Sequence, residues 1–370
     1  MSPDFGRDVY CLLGLPFDAL GMDGALARVR DAVRERRPCF FSTPNQSFVT
    51  AAQRDPVLRD SVIRSDMSIA DGMPLLWAAR LMGVPLPERV AGSSLFARLW
   101  HSAQAPIKVF FFGGGDGVAA AASERLNSGG AGLRSVGFDS PGFGSVQQMS
   151  GDECIERINA SGAEFIVVSI GAAKGQAWIE HNRDRLQAPV IAYLGAVVNF
   201  VAGKVQRAPL WMQRAGLEWL WRIKEEPALW RRYASDGAMF ARLLATRVIP
   251  YAVYARRHAP GAAAMAGAAV EITYSGERTE LCLRGAWTAH NLGPLRRALS
   301  DASAGEDALR LDLGEVSYLD SAAIALLSAL WAHCALRHRP LVIGNARPGI
   351  ERVVRYCCAE YVLNGRRDRE

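Results

Sequence analysis

The chain has 370 residues, half of them apolar and 22% charged, with a formal net charge of +6. That is enough apolar material for a conventional core and for two domains, and it excludes a disordered or fibrous chain. No stretch reaches the roughly 18 uncharged apolar residues that a bilayer-spanning helix needs, and Met1 to Asp8 lacks the basic-then-apolar order of a signal peptide, so a cytoplasmic protein is expected.

From Pro38 to Gly203 the sequence repeats a short apolar run, a small or polar loop and a helical pattern, the rhythm of a parallel α/β sheet. The predicted strands are Cys39 to Phe41, Lys108 to Phe112, Phe165 to Ile170 and Val190 to Leu194. Ligands bind at the carboxyl ends of such strands, so the loops at Thr43-Pro44-Asn45, Gly113-Gly114-Gly115 and Gly171 to Lys174 become candidates. In Ser68-Ile-Ala-Asp-Gly-Met-Pro74 a single acid, Asp71, precedes a predicted helix over 75–81. Read by itself it is a capping or turn aspartate. Lys108 to Gly117 is a buried strand and a glycine turn before an alanine-rich helix. The turn offers backbone N–H groups to a phosphate, or it merely joins strand to helix; both readings stand. Val118, where a dinucleotide fingerprint needs a small residue, argues against a nicotinamide oxidoreductase.

Between Lys204 and Arg257 stand eleven Lys/Arg and four acids, a local charge of +7 that leaves the rest of the chain near −1. Four tryptophans are interleaved with these cations, and Arg242, Arg247, Arg256 and Arg257 alternate with apolar residues. Such a segment suits a phosphate or an anionic membrane. It carries no recognisable DNA-reading motif, so nucleic acid is not expected as a partner. Residues 258–267, rich in Pro, Gly and Ala, read as a linker. Beyond it, predicted strands near 269–274, 280–283, 308–313 and 341–343 alternate with three helices in a unit of about 100 residues. Seven cysteines without a CxxC pair read as reduced structural thiols, with no zinc site.

The order Thr43-Pro-Asn45, Ala70-Asp-Gly72, Pro87-Glu-Arg-Val-Ala-Gly-Ser93, Phe112-Gly-Gly, Gly171 to Gln176, Gly195-Ala with Ala202-Gly203, Arg207-Ala-Pro and Gly216-Leu-Glu-Trp-Leu-Trp-Arg222 closely resembles the WecG/TagA/CpsF family, glycosyltransferase family 26. The resemblance spans about 9–257. It implies a Rossmann-like parallel-sheet transferase domain over 1–257 with a helical basic appendage at 204–257. The implied activity is an inverting, metal-independent, cofactor-free transfer from a UDP-sugar donor to a lipid-diphosphate-linked acceptor at the cytoplasmic membrane face, in surface-polysaccharide synthesis. By motif, Asp71 is the implied general base. Thr43, Asn45, Gly113, Gly114, Gln176 and Asn199 are the implied sugar and nucleotide contacts, and Arg207, Arg214, Arg222 and Arg232 the anion clamp. Ala177 stands where the family usually has an acid, Ala173 where a proline is common, and Asn199 where many members carry Asp.

Residues 268–370 form a second, smaller α/β domain. Leu311-Asp-Leu-Gly-Glu-Val-Ser-Tyr-Leu-Asp-Ser-Ala-Ala-Ile-Ala-Leu-Leu327 resembles a STAS domain, the fold of anti-sigma-factor antagonists. Ala322 stands where those proteins carry a phosphorylatable serine, which implies a scaffold or a docking site for a protein partner. The linker predicts that a chain ending near Pro260 folds and turns over alone. A second reading makes the STAS part the active one and the first domain a nucleotide sensor.

Overall fold

A computed structural model describes residues 4–209, 211–212, 216–275 and 278–363. It contains twelve strands: β1 (Val9–Leu12), β2 (Leu15–Asp18), β3 (Cys39–Ser42), β4 (Met67–Ser68), β5 (Ile107–Gly113), β6 (Leu133–Asp139), β7 (Phe165–Ser169), β8 (Val190–Tyr193), β9 (Ala269–Ser275), β10 (Arg278–Trp287), β11 (Ala308–Leu319) and β12 (Leu341–Gly344). No described helix is long and apolar enough to cross a membrane.

One compact unit spans 20–76 and 86–237. Its six strands are all parallel, in the order β4-β3-β8-β7-β5-β6. Alternate residues of each strand enter two separate cores. Phe41, Val109, Phe111, Phe165 and Val167 pack under the helices Met22–Glu35, Gly92–Trp100 and Val118–Ser128. Phe40, Phe110, Phe112, Ile166 and Val168 pack under Asp152–Ala160 and Ala172–Asn182. Burial on both faces is why these strands read as continuous apolar runs. The connection after β5 leads outward to β6, whereas β7 connects the other way to β8. The crevice between β5 and β7 is therefore a topological switch point.

The other unit collects 4–19, 77–85 and the chain from 238 onward. Its sheet runs β12-β11-β10-β9, parallel except for the β9–β10 pair. This grouping differs from the division expected at 258–267. The antiparallel β1–β2 hairpin is too small to be stable alone, and Cys11, Leu12 and Phe17 are buried in this unit. The helix Ile249–Arg257 likewise buries Tyr251 and Ala252 here. The predicted linker holds a short helix, Ala262–Ala266, with the Met265 carbonyl accepting from Asn291 Nδ2 at 3.0 Å.

Candidate active site

Asp71 is placed by backbone bonds that extend the sheet past its strand ends. Ile69 N–H donates to the Ser42 carbonyl and Asp71 N–H to that of Pro44, both at 3.0 Å, so Asp71 lies beside Thr43-Pro44-Asn45. Val90 N–H donates to the Ala70 carbonyl at 2.9 Å and draws in the loop 87–91. Glu88 anchors that loop by accepting from Met22 N–H at 2.7 Å, supplying the cap that Gly21 cannot. Gly92 follows because nothing larger fits: an added Cβ would lie 2.6 Å from Leu194 Cδ2 and 3.2 Å from Thr43 Oγ1.

Three charges then line up. Arg89 Nε donates to Asp71 Oδ1 at 3.3 Å, and Arg89 Nη2 to Glu218 Oε2 at 2.5 Å. Gly92 N–H reaches Asp71 Oδ2 at 3.4 Å. Both bonds to Asp71 are longer than the usual 2.9 Å or so, and its side chain keeps 23% of its surface. Burial raises the Asp71 pKa; Arg89 opposes that rise and Glu218 adds to it. Burial also works against the Arg89 charge, but the two carboxylates outweigh it and raise the Arg89 pKa.

The remaining predicted residues divide. Thr43 is buried against Gly92. Asn45 caps the helix Gln46–Ala52, its Oδ1 accepting from Phe48 N–H at 3.1 Å. Gly113 has a positive φ and no room for a side chain: a Cβ would lie 2.5 Å from Ile170 Cγ2. Gly114 N–H donates to the Ser169 carbonyl at 3.0 Å, so these two glycines join β5 to the end of β7. Gly117, also at positive φ, faces open space before a helix start without a side-chain cap. Asn199, on Val197–Val201, is partly exposed and adjoins Val198, which lies under Gly114.

Gln176 stands apart from the expectation. It is fully buried, its Oε1 accepts from Ser61 Oγ at 2.9 Å, and its Nε2 donates to Ser42 Oγ at 3.0 Å. One end of the amide ties its helix to the helix Pro56–Ile63 and the other to β3, and no surface remains for a ligand.

Arg207 Nη2 donates to Ser94 Oγ at 2.9 Å, and its guanidinium lies 5.9 Å over Phe200. Arg214 lies outside the described residues. Among the described residues, the ion pairs of Arg222 and Arg232 are long, 3.8 Å each, to Glu226 and Asp236 four positions on. Burial raises the pKa values of Tyr193 and Tyr233, and the charges of these two arginines lower them. Asp236 accepts from Ser47 Oγ at 2.6 Å and Thr50 Oγ1 at 3.2 Å, which fixes the helix Trp230–Leu243 against Gln46–Ala52. Arg89, Glu218, Ser94, Tyr193 and Asp236 were given no role by sequence reasoning. For the first two the signal was present, charged residues inside the Gly/Pro-containing motifs at 87–93 and 216–222.

Residues 10–252 match the glycosyl transferase WecG/TagA/CpsF family. The chain belongs to this family. The matched range of this WecG/TagA/CpsF glycosyltransferase contains the whole cluster from Thr43 to Asp236. Residues 270–360 match a STAS domain, described as Mlab, STAS domain. Two curated relatives are both called N-acetylglucosaminyldiphosphoundecaprenol N-acetyl-beta-D-mannosaminyltransferase. The one from Bacillus spizizenii (strain W23) is 30% identical over 202 residues, 54% of this chain and 77% of the relative. The one from Bacillus subtilis (strain 168) is 27% identical over 196 residues, 53% and 75% respectively.

Proposed function

We propose that this glycosyltransferase moves a sugar, with inversion and without a metal, from a UDP-sugar to a saccharide on a polyprenyl diphosphate, in surface-polysaccharide synthesis. The observation that carries the reading is the Asp71 carboxylate: loosely bonded, partly exposed, of raised pKa, at the strand ends beside an arginine. In the ionised form it takes the proton from the acceptor hydroxyl as that oxygen attacks the anomeric carbon. The bond from that carbon to the UDP oxygen breaks on the opposite face, and the electron pair leaves with UDP. Arg207, Arg222 and Arg232, and the N–H groups of the 113–117 turn, are the groups suited to the diphosphate charge. No Asp-x-Asp occurs between residues 9 and 257, which supports metal independence. Exposed Trp211, Trp219 and Trp230 among these arginines support docking on the membrane that carries the acceptor.

The acceptor and donor in the relatives' names set the test. Purified protein is given UDP-N-acetylmannosamine, or other UDP-sugars, with a short-chain lipid diphosphate bearing N-acetylglucosamine, and UDP release is followed with and without EDTA. Release with one donor, unaffected by EDTA, is expected. Nucleotide binding without release would favour a sensor; loss in EDTA restored by magnesium would remove the metal-free mechanism.

A further inference from the structure

The loop at which a STAS domain of the antagonist type would be modified is not free here. Asp320 Oδ1 accepts from Ala322 and Ala323 N–H, both at 2.9 Å, and Oδ2 from Ala289 N–H at 2.7 Å. Ser321 opens the helix Ser321–Leu336 and keeps 3% of its surface. Its N–H donates to the Tyr251 hydroxyl at 3.1 Å, and Tyr251, on the helix Ile249–Arg257 within which the transferase-family match ends, keeps 2%. Three residues on, the Tyr254 ring lies parallel to Tyr318, 6.4 Å away, and edge-on to Tyr356. Arg247 Nη1 donates to the Arg355 carbonyl at 3.0 Å and pairs with Glu360 at 3.4 Å.

The N-terminal hairpin holds the domain from its other terminus. Tyr361 donates its hydroxyl hydrogen to the Gly14 carbonyl at 3.1 Å, and Arg296 Nη1 donates to Gly6 O at 2.7 Å. Cys11 Sγ lies 3.7 Å from the Cys357 carbonyl, with both residues buried. Apart from those of Asp320, these contacts join residues more than 60 positions apart in sequence, and those of Gly14 and Cys11 join residues 347 and 346 apart. Surface between tethered modules is usually more polar and less completely buried.

We infer that the STAS domain is a built-in brace: its Asp320–Ala323 face is filled in cis by Tyr251 and its helix, so the domain holds the transferase's terminal segments instead of docking a second protein there or answering a kinase at Ser321. Each of the bonds that fill this face is made by the chain itself. Phosphate at Ser321 would have to displace Tyr251 and place two or so negative charges beside Asp320. The helix Trp230–Leu243 carries the chain from the first unit into this one. Its first half carries Arg232 and Asp236, and its second half buries Phe240 and Leu243 within the braced unit. The expectation that a chain ending near Pro260 folds alone is therefore revised: such a chain loses the surface on which Leu12, Phe17, Tyr251 and Ala252 are buried.

A protease site inserted between the exposed residues around Pro260 and Gly261 of the full chain tests this without removing anything. After complete cleavage the two fragments should elute together in size exclusion and melt in one transition. Tyr251→Ala should make the cleaved fragments separate at a protein concentration at least about tenfold higher than the unsubstituted pair needs, the effect of one buried anchor. Separation of the unsubstituted fragments would overturn the inference. So would unchanged association in the Tyr251→Ala protein, or stoichiometric phosphate on Ser321 in protein from its native cells. None of these readouts depends on turnover, so they stand apart from the fate of the transferase mechanism.

Discussion

Asp71 and Asp320 each stand after a strand of a largely parallel sheet and just before a helix, and burial raises the pKa of both. Asp320 spends its carboxylate on three backbone N–H groups at 2.7 to 2.9 Å, two of them in the helix that follows. Asp71 has one distant N–H and one distant guanidinium, and neither bond goes to the helix Met73–Met82. The same residue type in the same local setting is a finished cap in one sheet and, in the other, a loosely bonded carboxylate of the kind the proposed base requires. What separates them is whether short-range N–H groups saturate the oxygens.

The largest expected effect tests that contrast directly. Asp71→Asn should keep folding and nucleotide binding while turnover falls roughly 10²–10⁴-fold. Asp320→Ala should leave turnover near normal below its melting point and lower stability by about 1–2 kcal/mol, the worth of a lost cap. Steady-state kinetics and thermal melts of the two proteins decide it; exchanged phenotypes would reverse the assignment.

Arg222→Ala and Arg232→Ala come next. A charge-assisted bond to diphosphate is worth about 1.5–3 kcal/mol, so each should lose roughly 10- to 100-fold in kcat/KM. The loss should shrink in high salt as the wild type weakens. Their surface pairs with Glu226 and Asp236 are too long and exposed for removal to unfold the helix, so intact circular dichroism with unchanged kinetics would remove them from the clamp.

A smaller effect sharpens the base assignment. Asp71 works ionised, so kcat/KM should rise with pH through its raised pKa. Arg89 lowers that pKa and Glu218 raises it. Arg89→Gln should therefore move the rising limb to higher pH, and Glu218→Gln to lower pH. Limbs that stay in place, or move the same way, would assign the titration to another group.

The smallest effect concerns the basic helix. Arg256 and Arg257 are exposed, as is Arg242, whereas Arg247 is engaged with Arg355 and Glu360. Replacing any one of Arg242, Arg256 and Arg257 by alanine should weaken binding to anionic vesicles by about 1 kcal/mol at low salt. Arg247→Glu should act mainly on stability, against the sequence expectation that all four arginines face a membrane. Vesicle co-sedimentation alongside thermal melts separates the two.

What could be read from the sequence was what is local or periodic. The apolar runs that became β3, β5, β7 and β8 were legible because both sheet faces are buried, and β4, two residues long, was not. Capping is an interaction over two or three residues, so Asp71, before a predicted helix, could be named as a cap candidate from sequence, although the aspartate that does cap is Asp320. That Asp71 bonds elsewhere depends on Arg89, 18 positions away, which reaches it from the loop 87–91 that Glu88 pins to another helix and which Glu218, 147 positions from Asp71, holds in turn. Gln176 shows the reverse: its motif position suggested a ligand contact, and only the packing of Ser42 and Ser61 on either side turned its amide inward. The N-terminal hairpin is the extreme case. Its four-residue strands carry no signal of their destination, because two short strands cannot bury a face by themselves and take whichever surface the folded chain presents. Here that surface lies more than 300 residues downstream, in the domain whose Ser321 loop Tyr251 closes.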